Sequence, residues 1–166
     1  YWGTAGPIGD FNADGIVKID DLLLMISQWG ECTNVICNDD PPIDGAVQWP
    51  ISAGGNGHWS LVVLGNYTWQ QASDYANSLG GHLATVTNSN EQDWLLIQSL
   101  NDGAHLPYIG GFQNSSSPDY TEPGGGWTWV TGESWVFTNW SSDEPNNSGG
   151  SENWLHYGSN NGLWND

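Results

Sequence analysis

Five side chains that carry carboxylate or amide oxygens gather near the end of this 166-residue chain: Glu144, Asn146, Glu152, Asn165 and Asp166. Ca²⁺ takes about six to eight oxygen ligands and readily collects them from separate loops. Pro145 fixes its own φ near about −65°, and a cis peptide bond before it would turn its two neighbours toward one point. The pattern predicts a calcium site made from these five side chains. The alternative is a polar loop of turn-forming residues that binds nothing.

A second candidate calcium loop lies near the start, over residues 10–21. Its spacing fits the twelve-residue EF-hand loop, in which side chains at positions 1, 3, 5 and 12 and the carbonyl at position 7 bind the ion. The residues at these positions are Asp10, Asn12, Asp14, Asp21 and, for the carbonyl, Ile16. Position 12 is usually Glu, and here it is Asp21. The alternative is an Asp/Asn/Gly turn without metal.

The charge balance narrows the range of partners. Nineteen acidic residues face a single basic one, Lys18, which gives a formal charge of −18. Nucleic acids and anionic membranes are therefore excluded as partners, and divalent cations are the natural counter-ions. No apolar run is long enough to span a membrane. The start at Tyr1 suggests a processed, exported product, located outside the cell or on its surface. Cys32 and Cys37 form either a short-loop disulfide or two free thiols.

Before residue 58, the sequence predicts few regular secondary-structure elements. A helix over 20–29, closed by Gly30, is apolar on nearly all sides and must be covered by other residues. Residues 31–57 are rich in Asp, Pro, Gly and Asn and predict a linker with little regular structure. A strand is predicted over 59–64.

The second half predicts alternating helices and strands. Thr68 with Gln71 forms a capping box that begins a helix through Leu79, and Asn88 with Glu91 caps a second helix. Further strands are predicted at the following ranges: 82–86, 108–112, 127–130, 135–137 and 154–157.

The candidate calcium ligands near the end of the chain resemble a site in a known family. The Glu144-Pro145-Asn146 triplet, Glu152 and the final Trp164-Asn165-Asp166 resemble the sugar-binding calcium site of C-type lectin-like domains. The resemblance implies an α+β fold over residues 58–166, with two helices, short antiparallel sheets and a long calcium-binding loop region. It also implies that the five side chains bind both Ca²⁺ and two vicinal hydroxyls of a sugar with mannose-like equatorial 3- and 4-hydroxyls. Such sugars include mannose, glucose, N-acetylglucosamine and fucose.

The same resemblance sets further expectations. A third ion near Asn147 and Asn153 is left open. The disulfide cysteines of the family are missing, with Trp154 standing in the place of one, so tryptophan packing is expected to hold the core. The loop at 10–21 resembles a single dockerin calcium repeat. The expected organisation is a dockerin-like loop and helix over 1–30, a linker over 31–57 and a lectin-like domain over 58–166.

Two other functions are compatible with parts of the sequence: a glycosidase and a structural subunit. Glu144 and Glu152 could serve as the acid and base of a glycosidase, but a calcium ion would hold both ionised, so no enzymatic activity is expected. The four histidines lack a metal-binding spacing. The remaining rival is a structural subunit that self-assembles into an extracellular filament or surface layer. It rests on the uncovered helix at 20–29 and on the family's closing strand, which does not follow Asp166.

Overall fold

The computed structural model describes the backbone of residues 22–27 and all atoms of residues 41–104 and 106–166. Several predicted features lie outside these residues. They are the calcium ligands Asp10, Asn12, Asp14, Ile16 and Asp21, the cysteines Cys32 and Cys37, and His105. The calcium loop at 10–21 therefore stays a prediction.

Two helices and eight strands form the described part of the chain, which confirms the predicted α+β fold class. The helices are α1 (Trp69–Ser78) and α2 (Ser89–Asn101). The strands are β1 (Leu22–Ser27), β2 (Val47–Gln48), β3 (Trp59–Gly65), β4 (His82–Leu83), β5 (Tyr108–Gln113), β6 (Trp127–Trp129), β7 (Trp154–Tyr157) and β8 (Trp164–Asn165). They form one sheet in the order β2-β3-β1-β5-β7-β8, with β4 paired to β1 and β6 paired to β5.

Strand β1 corrects the helix predicted over residues 20–29. Leu22–Ser27 pair antiparallel with β3 along all six residues and meet β5 in a parallel pair at Leu24 and Tyr108. A short, continuous apolar run cannot be assigned to helix or strand by periodicity alone. Here the slot between β3 and β5 supplies backbone partners on both sides, and this tertiary context decides the conformation.

Both predicted helix starts are confirmed, because their signals are local. Thr68 Oγ1 accepts from the N–H of Gln71 at 3.3 Å, and Gln71 Oε1 accepts from the N–H of Thr68 at 2.9 Å. Asn88 Oδ1 accepts from the N–H of Glu91 at 3.0 Å. Each bond satisfies a backbone donor that the first helical turn leaves without a partner.

The stretch before β3 has more structure than the predicted linker. Its described part, residues 41–57, contains β2 and a short 3₁₀ helix, Ile51–Ala53. Trp49 is buried and stacks on Trp94 of α2 with ring centroids 5.8 Å apart. One buried tryptophan is enough to anchor a segment that is otherwise rich in turn residues.

The strand predicted at residues 135–137 is wrong. Trp135 and Phe137 pack their rings against Trp164, at 5.9 and 5.7 Å between centroids, but the segment pairs with no strand in the described part of the chain. Its alternation of half-buried and exposed residues therefore reflects a single extended segment lying on the core.

Tryptophan packing holds the core, as predicted. Trp129 and Trp164 are almost fully buried and meet edge to face at 5.8 Å, and Trp135 and Trp140 pack beside them. Trp164 Nε1 donates to Gln92 Oε1 at 2.8 Å, which ties β8 to α2. No helix among the described residues is long and apolar enough to cross a membrane.

Candidate functional site

The loop that contains Glu144 is fixed to the chain's last strand. Ser141 donates its N–H to the carbonyl of Trp164 at 2.8 Å, and Trp164 donates its own N–H to the carbonyl of Asn139 at 2.8 Å. Because Trp164 is fully buried, these bonds place the loop against a rigid element. The side chains on both segments thereby come together at one end of the sheet.

Asp166 is the centre of this arrangement. It is 4% exposed, and its two carboxylate oxygens accept from the N–H groups of Asn146 at 3.1 Å and Asn147 at 2.8 Å. The peptide bond between Glu144 and Pro145 is cis, as anticipated. The structure therefore brings the Glu144–Asn146 triplet and the end of the chain into direct contact.

Glu144 faces other carboxylates, and the described residues include no Lys or Arg that could offset their charge. Its Oε2 atom is buried and lacks a hydrogen-bond partner. The pKa of Glu144 is raised from its ordinary 4.5 to about 7, first by burial, then by its approach to Asp166, and then by the negative charges of Asp166 and Glu152. The N–H of Asn146 opposes the shift without cancelling it. The described groups around an ionised Glu144 thus compensate its charge only in part.

Glu152 and Asn165 border the same region with their own local bonds. The Glu152 carboxylate accepts from the N–H of Ser148, and the Asn165 Nδ2 group donates to the carbonyl of Asp166 at 2.7 Å. Within the described residues, no three acidic, histidine or cysteine side chains converge into a ready metal cage.

Asn147 has a supporting role that the sequence did not reveal. It takes the left-handed conformation at φ 48°, which Asn tolerates better than most residues, and its Oδ1 accepts from the N–H of Glu152 at 3.1 Å. The carbonyl of Asn153 accepts from the N–H of Gln113 at 3.0 Å. Asn147 therefore joins the Glu144 loop to Glu152. The third ion expected near these two residues stays a prediction.

Comparisons with known proteins identify the domain. The family model described as the lectin C-type domain matches residues 65–166. Ladderlectin of Oncorhynchus mykiss is 37% identical over 87 residues, which cover 51% of this chain and 42% of that protein. Pulmonary surfactant-associated protein D of Bos taurus is 35% identical over 101 residues, covering 60% of this chain and 24% of that protein. The matches thus span less than half of these two relatives.

A solved structure, human lithostathine, shows the same fold. Human lithostathine is similar with a TM-score of 0.50 and 20% identity, over 60% of this chain and 73% of that one. The cow C-type carbohydrate-recognition domain of CD23, solved in the presence of a GlcNAc2Man3 oligosaccharide, gives a TM-score of 0.49 and 25% identity, over 60% of this chain and 69% of that one. With the family model matching well over half of its residues, this chain belongs to the C-type lectin domain family.

Proposed function

We propose that the chain binds carbohydrate through a calcium ion held by Glu144, Asn146, Glu152, Asn165 and Asp166. The observation that carries the proposal is the buried, unpartnered Oε2 of Glu144 beside the carboxylate of Asp166. A buried carboxylate oxygen without a hydrogen-bond partner is costly, and a cation would relieve that cost. Each of the five side chains offers the hard oxygen ligands that Ca²⁺ prefers.

The ion, when bound, would supply direct coordination of two sugar hydroxyls. The protein's part is to hold the ligands, and the two backbone bonds to Asp166 already fix the loop before any ion arrives. The side chains can then pair with the same hydroxyls, because carboxylates accept hydrogen bonds and amides can also donate them. This preorganisation lowers the ordering cost of binding.

The proposed sugars have mannose-like equatorial 3- and 4-hydroxyls, such as mannose, glucose, N-acetylglucosamine or fucose. Support comes from the order of the triplet, with the carboxylate at Glu144 and the amide at Asn146. Reversing acid and amide would invert the donors and acceptors around the ion. The proposal includes an extracellular or cell-surface location, and a second ion in the N-terminal loop at 10–21.

The filament alternative loses two of the features on which it depended. Residues 22–27 form a strand instead of an uncovered helix, and β3 has partners on both edges, β1 and β2. An edge that is already paired offers no template for a neighbouring chain. Carbohydrate binding is therefore the function that we favour.

A glycan array probed with and without EDTA tests the proposal. We expect binding to mannose-type glycans in calcium and none in EDTA. The double variant Glu144→Gln with Asn146→Asp should shift preference toward galactose-type glycans. Glu122→Gln is the matched control, because Glu122 also precedes a cis proline but is exposed in the separate loop between β5 and β6. Binding that survives EDTA, or an array profile that the double variant leaves unchanged, would reject the site.

A further inference from the structure

A second cleft lies beside α1, away from the Glu144 loop. It has a volume of about 380 Å³ and is open to solvent between α1, β4, β5 and β7. We call it the α1 cleft and define it by Trp69, Gln70, Asn77, His82 and Trp154. Its volume is at the lower end of the roughly 300–1,000 Å³ that small-molecule sites occupy, which suits a mono- or disaccharide.

An exposed aromatic ring forms one wall of the α1 cleft. Trp154 is 39% exposed although it is large and apolar, and it stacks on Trp69 with centroids 4.5 Å apart and planes 22° apart. Trp69 is itself buried, and its Nε1 donates to the carbonyl of Ile109 at 2.8 Å. Trp154 thus rests on a ring that is fixed to the core, and such a rigid aromatic surface offers contact area at small entropic cost.

Polar groups surround this ring. Gln70 and Asn77 are exposed on α1, and Gln70 Nε2 donates to Asp74 Oδ1 at 2.9 Å, which orients that amide. His82 Nδ1 lies 2.8 Å from the carbonyl of Leu83 and must donate to it, because a carbonyl can only accept. In the neutral ring Nε2 is then an acceptor, and it is buried without a partner. The polar groups that a ligand in the α1 cleft can reach are therefore the exposed amides of Gln70 and Asn77.

The lining also indicates the charge of the occupant. The residues that define the α1 cleft carry aromatic, amide and imidazole groups, and Ser73, Phe112 and Val130 complete its lining. None of these described residues carries a carboxylate or an ammonium group. This is unusual in a chain that carries nineteen acidic residues. An anion would be repelled by the overall charge, and a cation would find no partner in the lining. A neutral ligand with one apolar face and several hydroxyls matches every part of the lining.

From these observations we propose that the α1 cleft binds a neutral pyranose unit, whose C–H face lies on Trp154 and whose hydroxyls pair with the exposed amides of Gln70 and Asn77. No group of the α1 cleft belongs to the proposed calcium ligands. Binding there requires no metal and does not depend on the function proposed above. The two sites can therefore be tested separately.

The test is a titration of the full chain with cellobiose in EDTA, in which NMR signals of the indole N–H groups report binding. The Trp154 signal is assigned by its loss in Trp154→Phe. We expect the Trp154 signal to shift and saturate with cellobiose and to remain in place with sorbitol, a polyol that lacks a ring face. Trp154→Phe should keep most of the affinity, whereas Trp154→Ala should lose about tenfold or more.

A second pair of variants keeps the test decisive if Trp154→Ala fails to fold. Asn77→Ala changes an exposed amide of the α1 cleft and should weaken cellobiose binding several-fold. Asn90→Ala changes an exposed amide on α2 and should leave it unchanged. The proposal is overturned if cellobiose does not shift Trp154, if folded Trp154→Ala binds like the parent, or if Asn77→Ala and Asn90→Ala behave alike. None of these results would decide whether the chain binds glycans through calcium, which the glycan array tests separately.

Discussion

The raised pKa of Glu144 leads to a specific dependence of calcium affinity on pH. A proton and Ca²⁺ compete for this carboxylate, so affinity should follow the ionised fraction of Glu144. With a pKa of about 7, that fraction is about three quarters at pH 7.5 and about 3% at pH 5.5. Calcium affinity should therefore fall about 25-fold between these pH values. At the ordinary pKa of 4.5, the fall would be only about 1.1-fold.

The assay is calorimetric titration with calcium in buffers of different ionisation enthalpy, which also counts released protons. We expect about one proton released per ion at this site at pH 6 and almost none at pH 8.5. The chain should carry Asp10→Ala and Asp14→Ala, so that the predicted N-terminal loop does not contribute to the heat. Glu144→Gln should bind calcium more weakly and lose the pH dependence, while Glu122→Gln should keep it.

The same pKa shift makes the stability of the calcium-free protein depend on pH. The folded-state pKa of Glu144 lies above its ordinary value, so the folded chain holds this proton more tightly than the unfolded chain does. The resulting stability is fully present below about pH 4.5 and is lost as the pH rises through about 7. In EDTA, Glu144→Gln should reduce this loss. A calcium affinity that changes less than about twofold between pH 7.5 and 5.5, or a slope that survives in Glu144→Gln, would refute the reasoning.

Three further predictions concern the scaffold. Thr68→Ala removes half of a capping box and should lower the free energy of unfolding, measured in urea, by about 1 kcal/mol. Thr138→Ala, on an exposed segment, should leave that free energy almost unchanged. Trp164→Ala should lower the free energy of unfolding by about 3–5 kcal/mol, because it opens a cavity in the aromatic core and leaves Gln92 Oε1 without its donor. A loss below about 1 kcal/mol would contradict that packing. Met25→Pro should destabilise the fold by about 1–3 kcal/mol, because proline removes a backbone donor from an interior strand, while Met25→Val should be tolerated. Equal melting temperatures of the two variants would count against β1.

The parts of the fold that were predictable have local signals. The capping residues Thr68 and Asn88 satisfy backbone donors three residues away, so their role is visible in a short window of sequence. The alternating strand at Trp59–Gly65 and the buried Tyr108–Gln113 were likewise located to within one residue. None of these elements needs information from distant parts of the chain.

The parts that were missed depend on distant partners. Residues 22–27 become a strand because β3 and β5 leave a slot between them, and residues 135–137 do not because no strand lies alongside. The candidate site shows the same division. The triplet at Glu144 and the acid at Asp166 could be named from sequence, but the bonds that join them through Asn147 depend on the loop's folded path. The raised pKa of Glu144 depends on the same convergence.

The most direct test of calcium-dependent sugar binding is a titration of immobilised mannose-bearing glycoprotein with the parent chain, Glu144→Gln and Glu122→Gln, each in calcium and in EDTA. The account predicts saturable binding of the parent and Glu122→Gln in calcium, its complete loss in EDTA, and little or no binding of Glu144→Gln in either condition. Equal binding in calcium and EDTA, or binding of Glu144→Gln that matches Glu122→Gln, would contradict it.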